Sequence, residues 1–293
     1  MLKPELEQKL QSLFQWFKGR ACVIAFSGGV DSTTLAKALL LASEEGLLKA
    51  PVVGYYAQSP SSTKLESDHA IKTAQELGLD LRVMQSTEFN EPLFVENSPQ
   101  RCYWCKKIRF SAIVKSAESE LGKDLDVPVN LLDGSNENDH GDFRPGLKAA
   151  QEVGVLSPFS ELHFTKDEIR QLAAHWNLSV ANKPSNPCLA SRMAYYLPLD
   201  EKYLRQIEKG EEFLYSLGYQ SCRVRVDTPL VARIEVPTSL ITELASDPTR
   251  TKIVEKFREI GFNFIALDLE GFYSGKNNRA ILNASEGENT TKQ

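Results

Sequence analysis

"VIAFSGGVDSTTLAKALL", residues 23–40, decides the fold. Its apolar start reads as a buried strand, and "STTLAKALLLASEEG" (32–46) reads as a helix. Between them lie Ser27, Gly28, Gly29, Val30, Asp31 and Ser32. A strand, a glycine loop and a helix N-terminus in succession form an anion site. Backbone N–H groups and the helix dipole face the ligand, and glycines admit it closely. Ser27 and Ser32 add hydroxyl donors. A Walker loop carries Gly-Lys-Ser/Thr here, because its lysine steadies the β- and γ-phosphates during γ-transfer. This loop has no lysine, and it is not the Gly-x-Gly-x-x-Gly of dinucleotide sites.

Outward from the loop, strands and helices alternate. "PVVGYYAQS" (51–59), "DLRVMQS" (80–86) and "VNLLDGS" (129–135) read as further strands. Helices are expected over 63–78, ending at Gly78, and over 103–121. This alternation implies a mostly parallel sheet covered on both faces, with ligands at the carboxyl ends of its strands. Thr165 and Glu168 form a capping-box pattern that starts a helix over 165–176. The Pro-rich stretch "NKPSNPCLASRMAYYLPLD" (182–200) reads as a functional loop or linker. Beyond it come a helix (201–219), two β-like runs ("CRVRVD", "LVARIEV"), a helix over 238–259 and a strand (263–269). The fold class is therefore α/β, with a parallel-sheet domain over 1–190 and a smaller α+β domain over 191–275. Residues 276–293 form a polar tail.

A formal net charge of −5 argues against a general polyanion binder, so nucleic acid is not an expected partner. The N-terminus is charged and amphipathic, with Leu6, Leu10, Leu13, Phe14 and Phe17 at helical spacing. It is not a secretory signal, and no apolar run is long enough to span a membrane, so a cytoplasmic location is expected.

Five cysteines in a reducing compartment do not suggest a disulfide framework. Cys22 and Cys222 each begin a strand and are assigned to structure. Cys102 and Cys105 lie in "SPQRCYWCKK" (98–107), at or just before a helix N-terminus. There the thiols share a face, and Arg101, Lys106 and Lys107 favour thiolate. Cys188 lies far along the chain. Buried thiols, zinc and a cluster are all open to these residues. Structural zinc asks for a fourth ligand that His163 and His175 do not obviously supply. Three thiolates suffice for a 4Fe–4S cluster with one open iron. In "DGSNENDHGDFRPG" (133–146), Gly134, Asn136 and Asp139 are expected to face the loop, whereas Asp142 also fits a plain surface turn. Arg223 and Arg225 share a strand face by the period of two, which suits either an anion clamp or a solvated face.

The hexapeptide Ser27–Ser32 resembles the Ser-Gly-Gly-x-Asp-Ser motif of the PP-loop ATP pyrophosphatases. That resemblance implies attack on the α-phosphorus of ATP, formation of an adenylate and departure of pyrophosphate. With "RCYWCKK", "GSNENDHGDFRPG", "PCLASR", "RVRVD" and "ARIE", most of the chain resembles the LarE family. These are ATP-dependent sulfurtransferases of nickel-pincer nucleotide biosynthesis for lactate racemase.

The resemblance implies that ATP and magnesium adenylylate a carboxylate of pyridinium-3,5-biscarboxylic acid mononucleotide, and that sulfur then displaces AMP. Ser27, Gly28, Gly29, Asp31, Ser32 and Gly134 match the ATP site, with Asp31 a magnesium candidate. Cys188 matches the active-site cysteine. Ser191, Arg192 and Trp104 match the substrate side, and Arg223 and Arg225 match the phosphate-binding arginines. Some members sacrifice the sulfur of the cysteine matching Cys188. The additional Cys102 and Cys105 resemble members whose three cysteines hold a 4Fe–4S cluster. The resemblance also implies a trimeric or hexameric homo-oligomer and other nickel-pincer biosynthesis enzymes as partners. The alternatives are a tRNA thiolase with the same ATP chemistry, an ammonia-using synthetase and an ATP-binding regulator.

Overall fold

A computed structural model describes residues 2–141, 145–184, 186–273, 275, 276 and 279. It divides into two compact units, 1–91 with 102–186 and 92–101 with 187–293. The first unit opens with α1 (Pro4–Phe17), β1 (Ala21–Ala25), α2 (Val30–Glu44), β2 (Val53–Gln58), α3 (Lys64–Leu77) and β3 (Asp80–Gln85). A short α4 (Pro92–Val95) lies in the second unit. Then α5 (Arg101–Leu121) starts at the boundary, and β4 (Val129–Leu132), α6 (Pro145–Val153), α7 (Pro158–Glu161) and α8 (Lys166–His175) complete the first.

The four strands form a parallel sheet in the order β3-β2-β1-β4. Val23 pairs with Val53 on one side and Leu131 on the other. Side chains alternate across this sheet, and both faces are buried at β1 and β2, whereas the edge strand β3 is largely exposed. Cys22 and Ile24 join a core with Leu13, Phe17, Leu35, Leu39 and Leu172. Val23 joins the opposite core with Tyr55, Phe110, Ile113 and Leu131. Each such apolar side chain contributes about 1.5–3 kcal/mol by leaving water. The five apolar residues predicted along α1 are all buried. Gly78 ends α3 in the left-handed conformation, and Thr165 and Glu168 form the expected capping box.

The topology places the site. From β1 the chain winds outward through β2 and β3, then returns to the other side of β1 for β4. The strand order therefore reverses between β1 and β4, and ligands bind at such a crevice.

The second unit contains α9 (Glu201–Ser216), β5 (Arg223–Arg225), β6 (Val231–Glu235), α10 (Ile241–Ala245), α11 (Thr249–Ile260) and β7 (Phe264–Leu267). Its sheet runs β5-β6-β7, antiparallel then parallel. The helix expected over 238–259 is broken between Ala245 and Thr249. Ser246 is extended, and Pro248, lacking an N–H, stands just outside the next helix. Residues 92–101, expected within the first domain, cluster with this unit. The fully buried Asn97 amide donates to the carbonyls of Ala194 (2.7 Å) and Leu197 (3.0 Å), and Leu199 N donates to Val95 O (2.8 Å). No helix among the described residues is long and apolar enough to cross a membrane.

Candidate active site

The loop after β1 begins with a turn that only glycine fits. Gly28 has φ +68°, and a Cβ there would stand 2.6 Å from Ala70 Cα on α3. The loop is cross-tied internally. Ser27 N donates to Ser32 Oγ (3.2 Å), the two hydroxyls lie 3.0 Å apart, and Gly29 N donates to Ser27 Oγ (3.4 Å). Gly29 is the N-cap of α2, so the first-turn N–H groups of a 15-residue helix open here.

The loop after β4 meets it at the switch point. A Cβ on Gly134 would stand 2.9 Å from Asp31 Cβ and Ser32 N, so glycine is needed for the approach. Asp133, just before, is buried and accepts from Ser135 N (3.1 Å), Ser135 Oγ (2.8 Å), Ser157 Oγ (2.7 Å) and Lys106 Nζ (3.3 Å). Asn136 is buried, and its N–H donates to Asp139 Oδ2 (3.0 Å). Asp142 lies outside the described residues.

Asp31 bonds to Lys166 Nζ through Oδ2 at 2.5 Å. Its Oδ1 is buried and has no hydrogen-bond partner among the described residues. Burial raises the Asp31 carboxyl, with Lys166 partly opposing it. A lone buried carboxylate oxygen beside a phosphate loop fits Mg²⁺, which uses one or two carboxylates and takes its other ligands from water and phosphate.

At the N-terminus of α5 Cys102 falls in the first turn and Cys105 just after it; Cys102 is exposed and Cys105 half-buried. The cations expected to support them have other partners. Arg101 donates to Asn97 Oδ1 and to Ala190 O (3.0 Å). Lys106 reaches Asp133, and Lys107 reaches Glu152 (3.0 Å) and Tyr103 Oη (2.7 Å). Trp104 is half-buried, edge-on to Tyr103 at 5.0 Å between centroids.

In the second unit, half-buried Cys188 precedes a tight 3-10 turn, Leu189–Arg192. Ser191 Oγ donates back to Cys188 O (2.8 Å). Arg192 is 1% exposed. It makes paired bonds to Glu211 (3.1 and 3.2 Å) and also donates to the Pro187 carbonyl, Cys188 O (3.1 Å) and Ser191 Oγ (3.2 Å). Burial opposes its charge, but Glu211 overcomes that and holds the guanidinium above its ordinary value. Arg225 pairs with Glu235 (3.0 Å) and donates to Ser191 O (2.9 Å), whereas Arg223 lies over the Phe272 ring at 5.0 Å.

None of the five cysteines is in a disulfide. Cys22 and Cys222 are buried, and burial pushes each thiol up to about 12, in keeping with structural roles. Among the described residues no three His, Cys, Asp or Glu side chains are gathered as metal ligands.

Two lysines join the site without any local signal in the sequence. Lys166 reads there only as part of a capping box, and Lys183 only as part of a Pro-rich loop. In the fold Lys166 reaches Asp31, and Lys183 Nζ donates to Gly28 O (3.3 Å) and lies 3.1 Å from His69 Nδ1.

A lysine-free Ser-Gly-Gly-Val-Asp-Ser loop at the switch point of a parallel sheet defines the class, the PP-loop ATP pyrophosphatases. No family model matches the chain. It is 36% identical over 277 residues to an uncharacterised protein of Synechocystis sp., covering 94% of this chain and 99% of the other. It is 32% identical over 261 residues to the pyridinium-3,5-bisthiocarboxylic acid mononucleotide synthase of Lactiplantibacillus plantarum, covering 89% and 90%. A tRNA-specific 2-thiouridylase of Syntrophotalea carbinolica is 30% identical over 192 residues, covering 57% and 53%. The chain belongs to the LarE family of ATP-dependent sulfurtransferases.

Proposed function

We propose that this enzyme activates a carboxylate of pyridinium-3,5-biscarboxylic acid mononucleotide with ATP and converts it to a thiocarboxylate for the nickel-pincer cofactor of lactate racemase. The observation that carries the reading is the meeting of the β1 and β4 loops at Gly134, beside the lysine-free loop. The substrate carboxylate oxygen attacks the α-phosphorus, and the bond to the β-phosphate oxygen breaks. The N-terminus of α2, with Ser27 and Ser32, holds the departing pyrophosphate. Asp31 Oδ1 would hold Mg²⁺, which would offset phosphate charge. A sulfur nucleophile then attacks the acyl carbon and AMP leaves.

Cys102, Cys105 and Cys188 are proposed to handle the sulfur, as ligands of a 4Fe–4S cluster or with Cys188 as the donor. Their accessibility supports this, in contrast to buried Cys22 and Cys222. Trp104, Ser191, Arg223 and Arg225 are proposed on the substrate side, in a cytoplasmic homo-oligomer working with other enzymes of the same route.

Anaerobic incubation with ATP, Mg²⁺ and the dicarboxylate nucleotide is expected to release AMP and pyrophosphate and to yield a product heavier by one sulfur-for-oxygen exchange. Release of ADP and phosphate instead would exclude the mechanism. Reconstitution with iron and sulfide separates the two sulfur sources. A brown protein that bleaches on Cys→Ser at any of the three positions supports the cluster. A colourless protein that loses hydrogen sulfide from Cys188 on turnover supports sacrifice. The 2-thiouridylase match favours a tRNA substrate as the second reading. It predicts salt-sensitive tRNA binding, against the chain's acidic balance.

A further inference from the structure

The loop lacks a lysine in sequence but not in space. Helix α8 and the segment after it bring two lysines to it. Lys166, at the start of α8, bonds to Asp31 in the first turn of α2. One turn on, Arg170 donates to the carbonyls of Ala181 (2.5 Å) and Lys183 (2.9 Å). Lys183 N also donates to Val180 O (2.9 Å). The backbone of Lys183 is thus clamped, and its ammonium lies on the Gly28 carbonyl at the turn of the loop.

The surroundings of that ammonium suit an anion. Lys183 is half-buried, and among the described residues no carboxylate lies within ion-pair distance of it. Its polar neighbours are a carbonyl oxygen and His69 Nδ1, while Thr73 Oγ1 faces the same imidazole nitrogen at 3.2 Å. An ammonium has three donors, and those two acceptors leave it able to take a ligand oxygen. Burial lowers the Lys183 pKa, and burial together with Lys183 lowers that of His69.

We propose that Lys183, with Lys166 on Asp31 of the same loop, forms the cationic half of a subsite for inorganic pyrophosphate, the β,γ-diphosphate of bound ATP. The inference rests on the ATP-cleaving reading of the loop. It adds the residues that replace the missing lysine. Lys183 binds the diphosphate; Arg170 is a positioning residue that acts through the Lys183 backbone. Placing the cation on a separate segment suits a loop that must release pyrophosphate, because its grip does not depend on the loop's own glycines.

Calorimetric titration of the full chain with inorganic pyrophosphate in Mg²⁺, and separately with AMP, tests this. Lys183→Ala is expected to weaken pyrophosphate binding by about 10- to 100-fold, the range for one hydrogen bond to a charged group, and to leave AMP binding and the melting temperature unchanged. Lys183→Arg is expected to restore most of the affinity. In wild type the pyrophosphate affinity falls as pH rises and the lysine loses its proton, and in Lys183→Arg that fall is expected to be smaller, because arginine stays charged. Wild-type affinity in Lys183→Ala overturns the assignment alone, as does a parallel loss of AMP binding, which means a collapsed loop. A wild type that binds no pyrophosphate overturns the ATP reading and this inference with it.

Discussion

Arg192→Met separates a substrate-binding arginine from one that builds the cysteine loop. Arg192 and Glu211 face each other with side chains 1% and 4% exposed and two parallel bonds. Removing the guanidinium leaves a buried carboxylate that accepts from the Val224 N–H (3.1 Å) and the Tyr215 hydroxyl (3.5 Å) but has lost its counter-charge. It also takes a donor from the carbonyls of Pro187 and Cys188. Breaking one side of such a pair costs about 3–5 kcal/mol. The double variant Arg192→Met/Glu211→Leu removes both desolvated charges, which is often neutral. Here it still forfeits the bond to Val224, about 1 kcal/mol. The double variant should therefore be about 2–4 kcal/mol more stable than the single. Urea unfolding followed by circular dichroism gives the energies, and amide exchange over 187–226 localises the loss. Faster alkylation of Cys188 in the single variant should accompany it. A single variant within about 1 kcal/mol of wild type, or a double variant no more stable than the single, would refute the structural role.

Three further predictions concern other parts of the molecule. Gly28→Ala must place a Cβ 2.6 Å from Ala70 Cα at φ +68°; AMP formation should fall about 100-fold from displacement of the loop, and unchanged turnover contradicts the tight turn. Iodoacetamide at pH 8 should label Cys102, Cys105 and Cys188 and spare Cys22 and Cys222, whose thiols burial pushes up to about 12; mass spectrometry showing more than three adducts on native protein contradicts this. Burial raises the Glu88 carboxyl, but Arg109 (2.6 Å) and the hydroxyls of Ser59 and Ser86 outweigh it and hold it below its ordinary range. A carboxyl lowered by folding stabilises above its unfolded value and loses that contribution as pH falls through its folded value. Glu88→Gln should therefore be less stable at pH 7, with the difference from wild type shrinking below about pH 4; a gap constant from pH 7 to pH 3 would show that Glu88 does not titrate in this way.

The sheet was legible because its signals are local. Apolar runs ended by glycine, a capping box at Thr165 and a helix-ending Gly78 each carry their own chemistry. The anion loop was legible for the same reason. Side-chain partners were not, because a guanidinium or ammonium reaches several ångströms across the fold. Spacing placed Arg223 and Arg225 on one face but could not show that Arg225 pairs with Glu235 while Arg223 covers Phe272. Lys183, 155 residues from Gly28, gave no signal at all. The broken helix at Pro248 was in principle readable, since proline inside a helical pattern ends the helix at the residue before it.

The excursion of residues 92–101 into the second unit bears on how the chain is made and how it can be cut. A fragment that begins near residue 187 would discard Asn97, whose amide ties down Ala194 and Leu197. Such a fragment would expose those carbonyls and should aggregate rather than fold. On the ribosome, which adds about 5–20 residues per second, the early segment waits several seconds for partners not yet synthesised. Its loop-closure entropy is met only when the Cys188 region emerges. The cysteine-bearing turn can therefore take its Asn97 bonds only after Leu197 has been synthesised.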